Sequence, residues 1–467
     1  MPSIFEARSS LPVSAESAFA WHCAAGALNR LIPPWEDVLV EGDAVALERG
    51  QRMCLRPKVG LFRLRWLAHI ERLEPSEYLF QDTQISGPFA SWEHRHRMIA
   101  EGPHCVLEDR VSYRAPFGFL GRAAGFVVRS RLKSMFEWRH AVTLCDLRRH
   151  SRQQPQSPMK ILVTGASGMV GSSLIPFLTT GGHQVVTLVR REPKNANEVQ
   201  WSVEGGVKNP EALEGLDGVF HLAGENIASG RWNDAQKERI MGSRVDGTRV
   251  VVDALLGLKE KPKVFISASA IGFYGNRGDE VLDETASRGT DYLSDVVVAW
   301  EEQTKRLEEA GVRTVLARIG VVLSPRGGAL KKMLLPFKMG GGGIVGSGNQ
   351  WMSWVALDDL IGALHHALMT PDMRGPINIT APGAVTNRSF TKVLGRVLRR
   401  PTILPIPAIG VKLAFGEMGE ALLLGSQRVQ SKALTESGFH FDYPDLEGAL
   451  RHLLGKRPSS NVEMVHS

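Results

Sequence analysis

The sequence predicts a doubly wound, parallel α/β domain preceded by a smaller α+β domain, and three observations carry that expectation. After residue 158, short aliphatic runs ("KILVTG", "QVVTLVR", "GVFHLAG", "KVFISAS", "RTVLARIGVVLS") recur with helix-length stretches between them. Near-continuous apolar strands alternating with helices indicate a parallel sheet covered on both faces. Ahead of residue 150 the order is different: a strand, a helix, several extended stretches and a long final helix. Between the two, "RRHSRQQPQSPMK" interrupts both patterns with polar residues and prolines, which marks a seam.

At 467 residues the chain is too long for one ordinary core, so two or three domains are expected. A composition of 43% hydrophobic and 22% charged residues is that of a globular protein and excludes a largely disordered one. The net charge of +7 is spread along the chain rather than gathered in a tract, which argues against a nucleic-acid partner. No run of 18 apolar residues and no basic-then-apolar start is present, so neither a membrane span nor a signal peptide is expected, and the predicted location is the cytoplasm. Cys23, Cys54, Cys105 and Cys145 form no CxxC pair and read as buried thiols rather than disulfides. His22 and His104 each sit beside a cysteine but without metal-ligand spacing, so no metal is expected.

In the first domain, residues 1–150, "IFEARSSLPVSAESAFAWHC" predicts a strand and then a helix capped by Ser14 or Ser17. "FRLRWLAHIERL", "SWEHRHRMIA" and "HCVLEDRVSYRA" alternate apolar with polar residues at hairpin-like spacing. Val128, Leu132, Met135 and Phe136 then recur at helical intervals between about 120 and 149. This order, closing with "YRAPFGFLGRAAGFVVRSRLKSMFEWRHAV", resembles the helix-grip domains related to START and the plant pollen allergens, the SRPBCC-like group. The resemblance implies a curved antiparallel sheet wrapped around the last helix, with an apolar cavity for a lipid or other hydrophobic ligand. The other reading is a plain α+β domain with a filled core. On either reading Trp66, Phe89, Trp92, Phe126, Phe136 and Trp138 are taken as packing residues rather than ligand contacts. Residues 151–158 are the linker.

The second domain opens on "ILVTGASGMVGSSL", where Gly165, Gly168 and Gly171 are spaced GxxGxxG between a strand and a helix. That context, more than the triplet, points to a dinucleotide: the first glycine permits a tight turn and the second lets a pyrophosphate approach the backbone. The third allows close helix packing, while amide N–H groups at the helix start attract phosphate. The next strand ends "TLVRREP", placing Arg190 and Arg191 where NAD enzymes carry an acid for the ribose. Guanidinium groups suit a 2′-phosphate, so NADP(H) is preferred over NAD(H); the alternative is a solvated arginine pair.

"VFHLAGENIA", "VFISASAIGFYG" and "RIGVVLSPRGGAL" complete a resemblance to the extended short-chain dehydrogenase/reductases, of an atypical kind. More narrowly, "HLAGENI", "GGAL" and "GSGNQWMSWVALDDL" are similar to the NAD-dependent epimerase/dehydratase-like, sugar-nucleotide epimerase-like group. It covers residues 159 to about 455: a Rossmann-like NADP-binding domain at 159–400, and an appended segment at 401–455 that includes "PIPAIGVKLAFGEMGEALLLGSQRV". A tail follows at 456–467. The resemblance implies that Gly165, Ser167, Gly168, Met169, Val170 and Gly171 cradle the pyrophosphate. Leu222, Ala223 and Gly224 pass the adenosine side and ribose, with Glu225 close to the cofactor. Ser267, Ala268 and Ser269 end the strand facing the nicotinamide, and Arg318 ends the strand beyond. Members often pair through helices beside the active-site helix, which makes a homo-oligomer an expectation.

Members of that family use a Tyr-x-x-x-Lys pair, in which the lysine and the cofactor lower the tyrosine pKa for proton exchange and a serine polarises the carbonyl. On "TDYLSDVVVAWEEQTKRLEEAGVR", counting back from Glu301, the tyrosine position falls on Leu293 and the lysine position on Val297. Tyr292 does not restore the motif, since four residues on stands Val296. Ser269 matches the catalytic serine, and Tyr274 matches a tyrosine that shapes the substrate pocket. Three readings remain open. The first is an oxidoreductase or epimerase of unnamed small-molecule substrate with a rearranged acid, Tyr274 or Glu225. The others are a non-catalytic NADP(H) sensor and a carrier of an apolar ligand in the first domain. Gly340–Gly343, Gly346 and Gly348 with Trp351 and Trp354 form either a lid or a connector packed on the sheet, and Asp358 and Asp359 read as a helix cap rather than an acid–base pair.

Overall fold

A computed structural model describes residues 2–42, 44–116, 125–153 and 157–456. The chain divides into two compact units, one built on Met1–Gln156 with Pro176–His183 and the other on Ser157–Ile175 with Gln184–Arg451.

In the first unit, β1 (Ser3–Leu11) leads into α1 (Ala15–Cys23), whose start is capped by Ser14 Oγ accepting from the Ser17 amide. There follow β2 (Val38–Glu41), β3 (Arg52–Val59), β4 (Trp66–Glu74), β5 (Leu79–Ser86), β6 (Ser91–Glu101) and β7 (His104–Arg114), then the long helix α2 (Gly125–Arg152). The strands form one antiparallel sheet in the order β1-β7-β6-β5-β4-β3-β2. Alternation along β6 buries Trp92, His94, His96 and Met98 and exposes Glu93 and Arg97, as a sheet with one face on a core requires. Phe5, Trp92, Val111 and Tyr113 from the sheet pack with Leu132 and Phe136 from α2.

The core is not filled. A cavity of about 420 Å³ opens on the inner face of the sheet, so the filled-core reading is set aside. Trp66, Phe89 and Trp92 line this cavity rather than serving as packing alone. Phe136 and Trp138 are buried packing residues, and Phe126 is exposed. The "FGFLGRAA" approach to the helix lies outside the described residues.

The second unit is a parallel sheet. Its strands are β8 (Lys160–Thr164), β9 (Gln184–Val189), β10 (Glu198–Ser202), β11 (Gly218–His221), β12 (Val264–Ala270), β13 (Arg313–Ile319) and β14 (Gly375–Ile379). The order is β10-β9-β8-β11-β12-β13-β14, with a two-residue strand, Gly206–Val207, antiparallel on the free edge of β10. The helices that bear on the site are α3 (Gly171–Thr180), α4 (Asp234–Leu256) and α5 (Tyr292–Glu302). From β8 the chain runs outward through β9 and β10, then returns to β11 on the other side of β8. The crevice between β8 and β11 is therefore the topological switch point, where open α/β sheets bind ligands beyond the carboxyl ends of their strands. Arg428–Val429 of the C-terminal segment pair in parallel with Val281–Leu282, and Ser431 Oγ accepts from the Thr380 amide at 2.8 Å. That segment is laced into the α/β core rather than merely appended.

Candidate nucleotide-binding site

The parallel register brings the predicted residues to one edge. Val163 pairs with Thr187, Thr164 with His221, His221 with Ser267, and Ser269 with Arg318. The glycine loop after β8, the arginines after β9, the turn after β11 and the ends of β12 and β13 thus all lie at the carboxyl edge of the sheet.

Glycine is required at two positions of the loop. Gly165 has φ +67°, and a Cβ there would stand 2.7 Å from the Leu222 carbonyl oxygen. A Cβ on Gly171 would stand 2.4 Å from the Gly165 oxygen. The first contact presses the loop against β11's exit and the second seats the start of α3 on the loop. Ser167 and Gly168 lie exposed between them, with Met169 and Val170 half-buried. The Gly168 amide donates to the Gly165 oxygen at 2.9 Å, and the Leu174 amide to the Val170 oxygen at 2.8 Å. This is a backbone cradle that side chains would fill, and it fits a pyrophosphate.

Thr164 holds the other wall. Its Oγ1 accepts from the amides of Leu222 (3.0 Å) and Ala223 (3.1 Å) and lies 3.0 Å from His221 Nδ1. With both lone pairs engaged, the threonine proton goes to Nδ1. His221 then carries its own proton on Nε2 and donates it to Thr248 Oγ1 at 3.0 Å. Burial of this imidazole lowers its pKa to about 4.

Gly224 is exposed and Glu225 half-buried. The Glu225 amide donates to Ser243 Oγ at 3.0 Å, its carbonyl accepts from Arg244 Nη2 at 3.1 Å, and its carboxylate receives a 3.4 Å contact from Ser229. Arg244, on α4, was not singled out from the sequence because nothing in a helix pattern shows which turn it meets. Its guanidinium lies over the Trp300 ring at 5.1 Å and makes no ion pair among the described residues. Burial pushes its pKa down.

Arg191 forms a two-pronged pair with Glu198 (2.6 and 2.8 Å), whose Oε2 also accepts from the Lys194 amide. Arg190 is exposed and forms no ion pair among the described residues. Both oxygens of the nearby acid are thus taken, leaving it a poor acceptor for a ribose hydroxyl.

At the far end of the crevice lies a buried polar network. Ser269 Oγ donates to Glu301 Oε1 at 2.6 Å, and Arg318 meets both oxygens of Glu301 at 2.9 Å. Arg318 Nη1 donates to the Tyr274 hydroxyl (3.2 Å), which donates to Asn378 Oδ1 (2.8 Å). The Arg318 guanidinium also stacks 3.4 Å over Phe273. Burial alone would lower the Arg318 pKa, but Glu301 raises it and holds the cation charged. Tyr274 is fully buried, and burial raises its pKa further from neutrality. Tyr274 and Arg318, named from the sequence as acid and cofactor contact, are therefore partners inside this network. Ser269 has its only proton committed to Glu301. Ser267 is buried with its hydroxyl on the Ala268 carbonyl at 3.0 Å, so it faces inward too. Leu293 and Val297 pack near Gly272.

The glycine-rich segment after residue 339 is a packed connector. A Cβ on Gly343 would collide with the Leu404 oxygen, Val345 bridges to Ile406, and Trp354 is fully buried with its Nε1 on the Gly383 oxygen. Asp359 accepts from the amides of Asp442 and Tyr443, both at 2.9 Å, a tie to the C-terminal segment rather than acid–base chemistry.

Comparison with known proteins agrees with this geometry. Residues 161–380 match the model of the NAD dependent epimerase/dehydratase family, and residues 406–453 match a domain of unknown function. Residues 11–137 match "Polyketide cyclase / dehydrase and lipid transport". The chain is 42% identical over 290 residues to the epimerase family protein Mb2239 of Mycobacterium bovis, covering 62% of this chain and 96% of that one. It is 34% identical to human epimerase family protein SDR39U1, covering 63% of this chain and all of that one. Among solved structures, the nucleoside-diphosphate sugar epimerase of Corynebacterium glutamicum superposes with a TM-score of 0.78 at 32% identity, over 97% of this chain and 90% of that one. Human SDR39U1 solved with NADPH gives 0.59 at 32%, over 63% and 99%. Among the described residues no helix is long and apolar enough to cross a membrane. On its glycine cradle, its sheet order and these relatives, the chain belongs to the NAD dependent epimerase/dehydratase family.

Proposed function

We propose that the second unit binds NADP(H) and serves an oxidoreductase or epimerase reaction on a small-molecule substrate without the Tyr-x-x-x-Lys relay. The single observation that carries the cofactor preference is the arginine pair after β9, with Glu198 neutralised by Arg191 and Arg190 left to meet a 2′-phosphate. The NADPH seen with human SDR39U1 supports the same reading.

When bound, the dinucleotide supplies a hydride donor or acceptor. The chain's own residues divide the remaining work. The loop from Gly165 to Gly171 holds the pyrophosphate, and Leu222, Ala223 and Gly224 line the adenosine side. The carboxyl end of β12 backs the nicotinamide. The Ser269–Glu301–Arg318–Tyr274 network keeps that backing rigid and charge-balanced. Leu293 and Val297 cannot move a proton. Glu225 is the proton-handling group in this reading, because its carboxylate is half-buried beside the Gly224 turn and weakly engaged.

The test is turnover. Purified chain screened with NADPH against aldehydes and ketones should consume NADPH absorbance with at least one carbonyl class, and Glu225→Gln should lower kcat at least tenfold with little change in NADPH affinity. Binding of NADPH without turnover on any carbonyl would replace this reading with that of a nucleotide sensor. A carrier role for the first unit has its own observation, the 420 Å³ cavity. It predicts that organic extraction of the full chain, followed by mass spectrometry, releases an apolar molecule in stoichiometric amount.

A further inference from the structure

The cavity of the first unit has a polar floor that its apolar walls do not explain. Asp82 on β5, His94 and His96 on β6, and Asp109 on β7 share the inner face because the antiparallel register pairs Asp82 with His94 and His96 with Asp109. Directly paired residues point to the same side of a sheet. Asp82, His94 and His96 all line the cavity.

Their atoms are ordered in two layers. Toward the cavity, Asp82 Oδ2 lies 3.4 Å from His94 Nδ1 and 4.0 Å from His96 Nε2, and one donor atom from each of the three residues falls within 4.8 Å of the others. On the far side, His94 Nε2 and His96 Nδ1 both stand against the same oxygen of Asp109, at 2.9 and 2.6 Å. The other Asp109 oxygen is 2.6 Å from His140 Nε2, and His140 Nδ1 is 2.8 Å from Ser9 Oγ. The buried Asp109 carboxylate thus hydrogen-bonds His94 Nε2 and lies close to His96 Nδ1 without hydrogen-bond geometry, while the other nitrogens of both imidazoles face Asp82. A carboxylate behind each ligating histidine is how metal sites orient imidazole and raise its basicity.

We propose that the floor of this cavity binds one divalent first-row transition metal ion, of the Zn²⁺ or Fe²⁺ kind, through Asp82, His94 and His96. Metal–ligand bonds of about 2.0–2.2 Å need ligand atoms about 3 to 3.5 Å apart, so Asp82 and His94, 3.4 Å apart, already stand at that spacing and His96 must move inward. Two imidazoles and one carboxylate exclude the oxygen-preferring Ca²⁺ and Mg²⁺. Three protein ligands leave coordination positions that face the cavity, where an oxygen atom of an enclosed small molecule completes the set. The competing arrangement is a metal-free cluster in which a proton on His94 bridges the two carboxylates.

The experiment uses the full chain, stripped by chelator, titrated with Co²⁺ by visible absorption and with Zn²⁺ by calorimetry. The expected result is one Co²⁺ per chain, displaced by Zn²⁺, with X-ray absorption of the Zn²⁺ form showing two imidazoles and an oxygen ligand. Asp109→Asn should weaken binding about 10–100-fold, and Asp82→Asn or His96→Gln should weaken it further. His104→Ala, which removes an exposed histidine at the start of β7, should leave it unchanged. Failure of the folded wild-type chain to take up a stoichiometric ion overturns the proposal. So does a spectrum without two imidazoles, or unaltered affinity in Asp82→Asn and His96→Gln chains that keep the wild-type circular dichroism.

Discussion

At the scale of single residues, the site is decided by steric and electrostatic conflicts that one substitution exposes. Gly171→Ala places a methyl 2.4 Å from a backbone oxygen that cannot retreat without moving the loop. It should cost about 1–3 kcal/mol in urea unfolding and remove NADPH binding. Gly410→Ala, where nothing lies within 4 Å, should leave both nearly unchanged. In the buried network, Glu301→Ala leaves the Arg318 guanidinium without its carboxylate. Loss of one partner of a buried pair costs about 3–5 kcal/mol, so unfolding in denaturant should show a loss of that order. The sequence showed the glycines of the loop directly, since their placement is a matter of spacing. It did not show that Ser269, Glu301, Arg318, Tyr274 and Asn378 form one network, because they come from four separate segments.

At the scale of elements, Thr164 and His221 at the ends of β8 and β11 act as a clamp across the switch point. The folded imidazole titrates near 4 and the unfolded one near its ordinary 6.5. The unfolded chain therefore takes up the proton first as the pH falls. The stabilisation is complete above about pH 6.5 and is lost as the pH drops toward 4. Between pH 7 and 5 this one residue accounts for about 2 kcal/mol. Stability measured against pH should fall over that range in the wild-type chain, and the fall should be shallower by about that amount in His221→Gln. Strand identity in this unit was legible because buried parallel strands are nearly continuous apolar runs, whereas their order was not. In the first unit, the alternation in "SWEHRHRM" was legible as a strand, yet its histidines were not read as ligands. Asp82 and Asp109 join them only through strand register, which the spacing of His22 and His104 beside cysteines did not suggest.

At the scale of the whole molecule, the two units offer features of different chemistry: a glycine-rich backbone loop at the carboxyl edge of the parallel sheet in one, and an apolar cavity with an imidazole and carboxylate floor in the other. From composition, the polar, proline-containing seam was expected to separate two halves. The cavity of the first core was expected from the helix-grip resemblance, but which aromatic residues line it was not, since those that line a cavity and those that fill a core give the same pattern in a strand. The cofactor assignment is the claim on which the functional account turns, and calorimetric titration of the full chain with NADPH and with NADH tests it most directly. The account predicts NADPH binding about 10–100-fold tighter, the worth of a charge-assisted contact to the 2′-phosphate, with the preference abolished in the Arg190→Glu, Arg191→Glu chain. Equal affinity for the two nucleotides, or a preference that survives loss of both arginines, would contradict it.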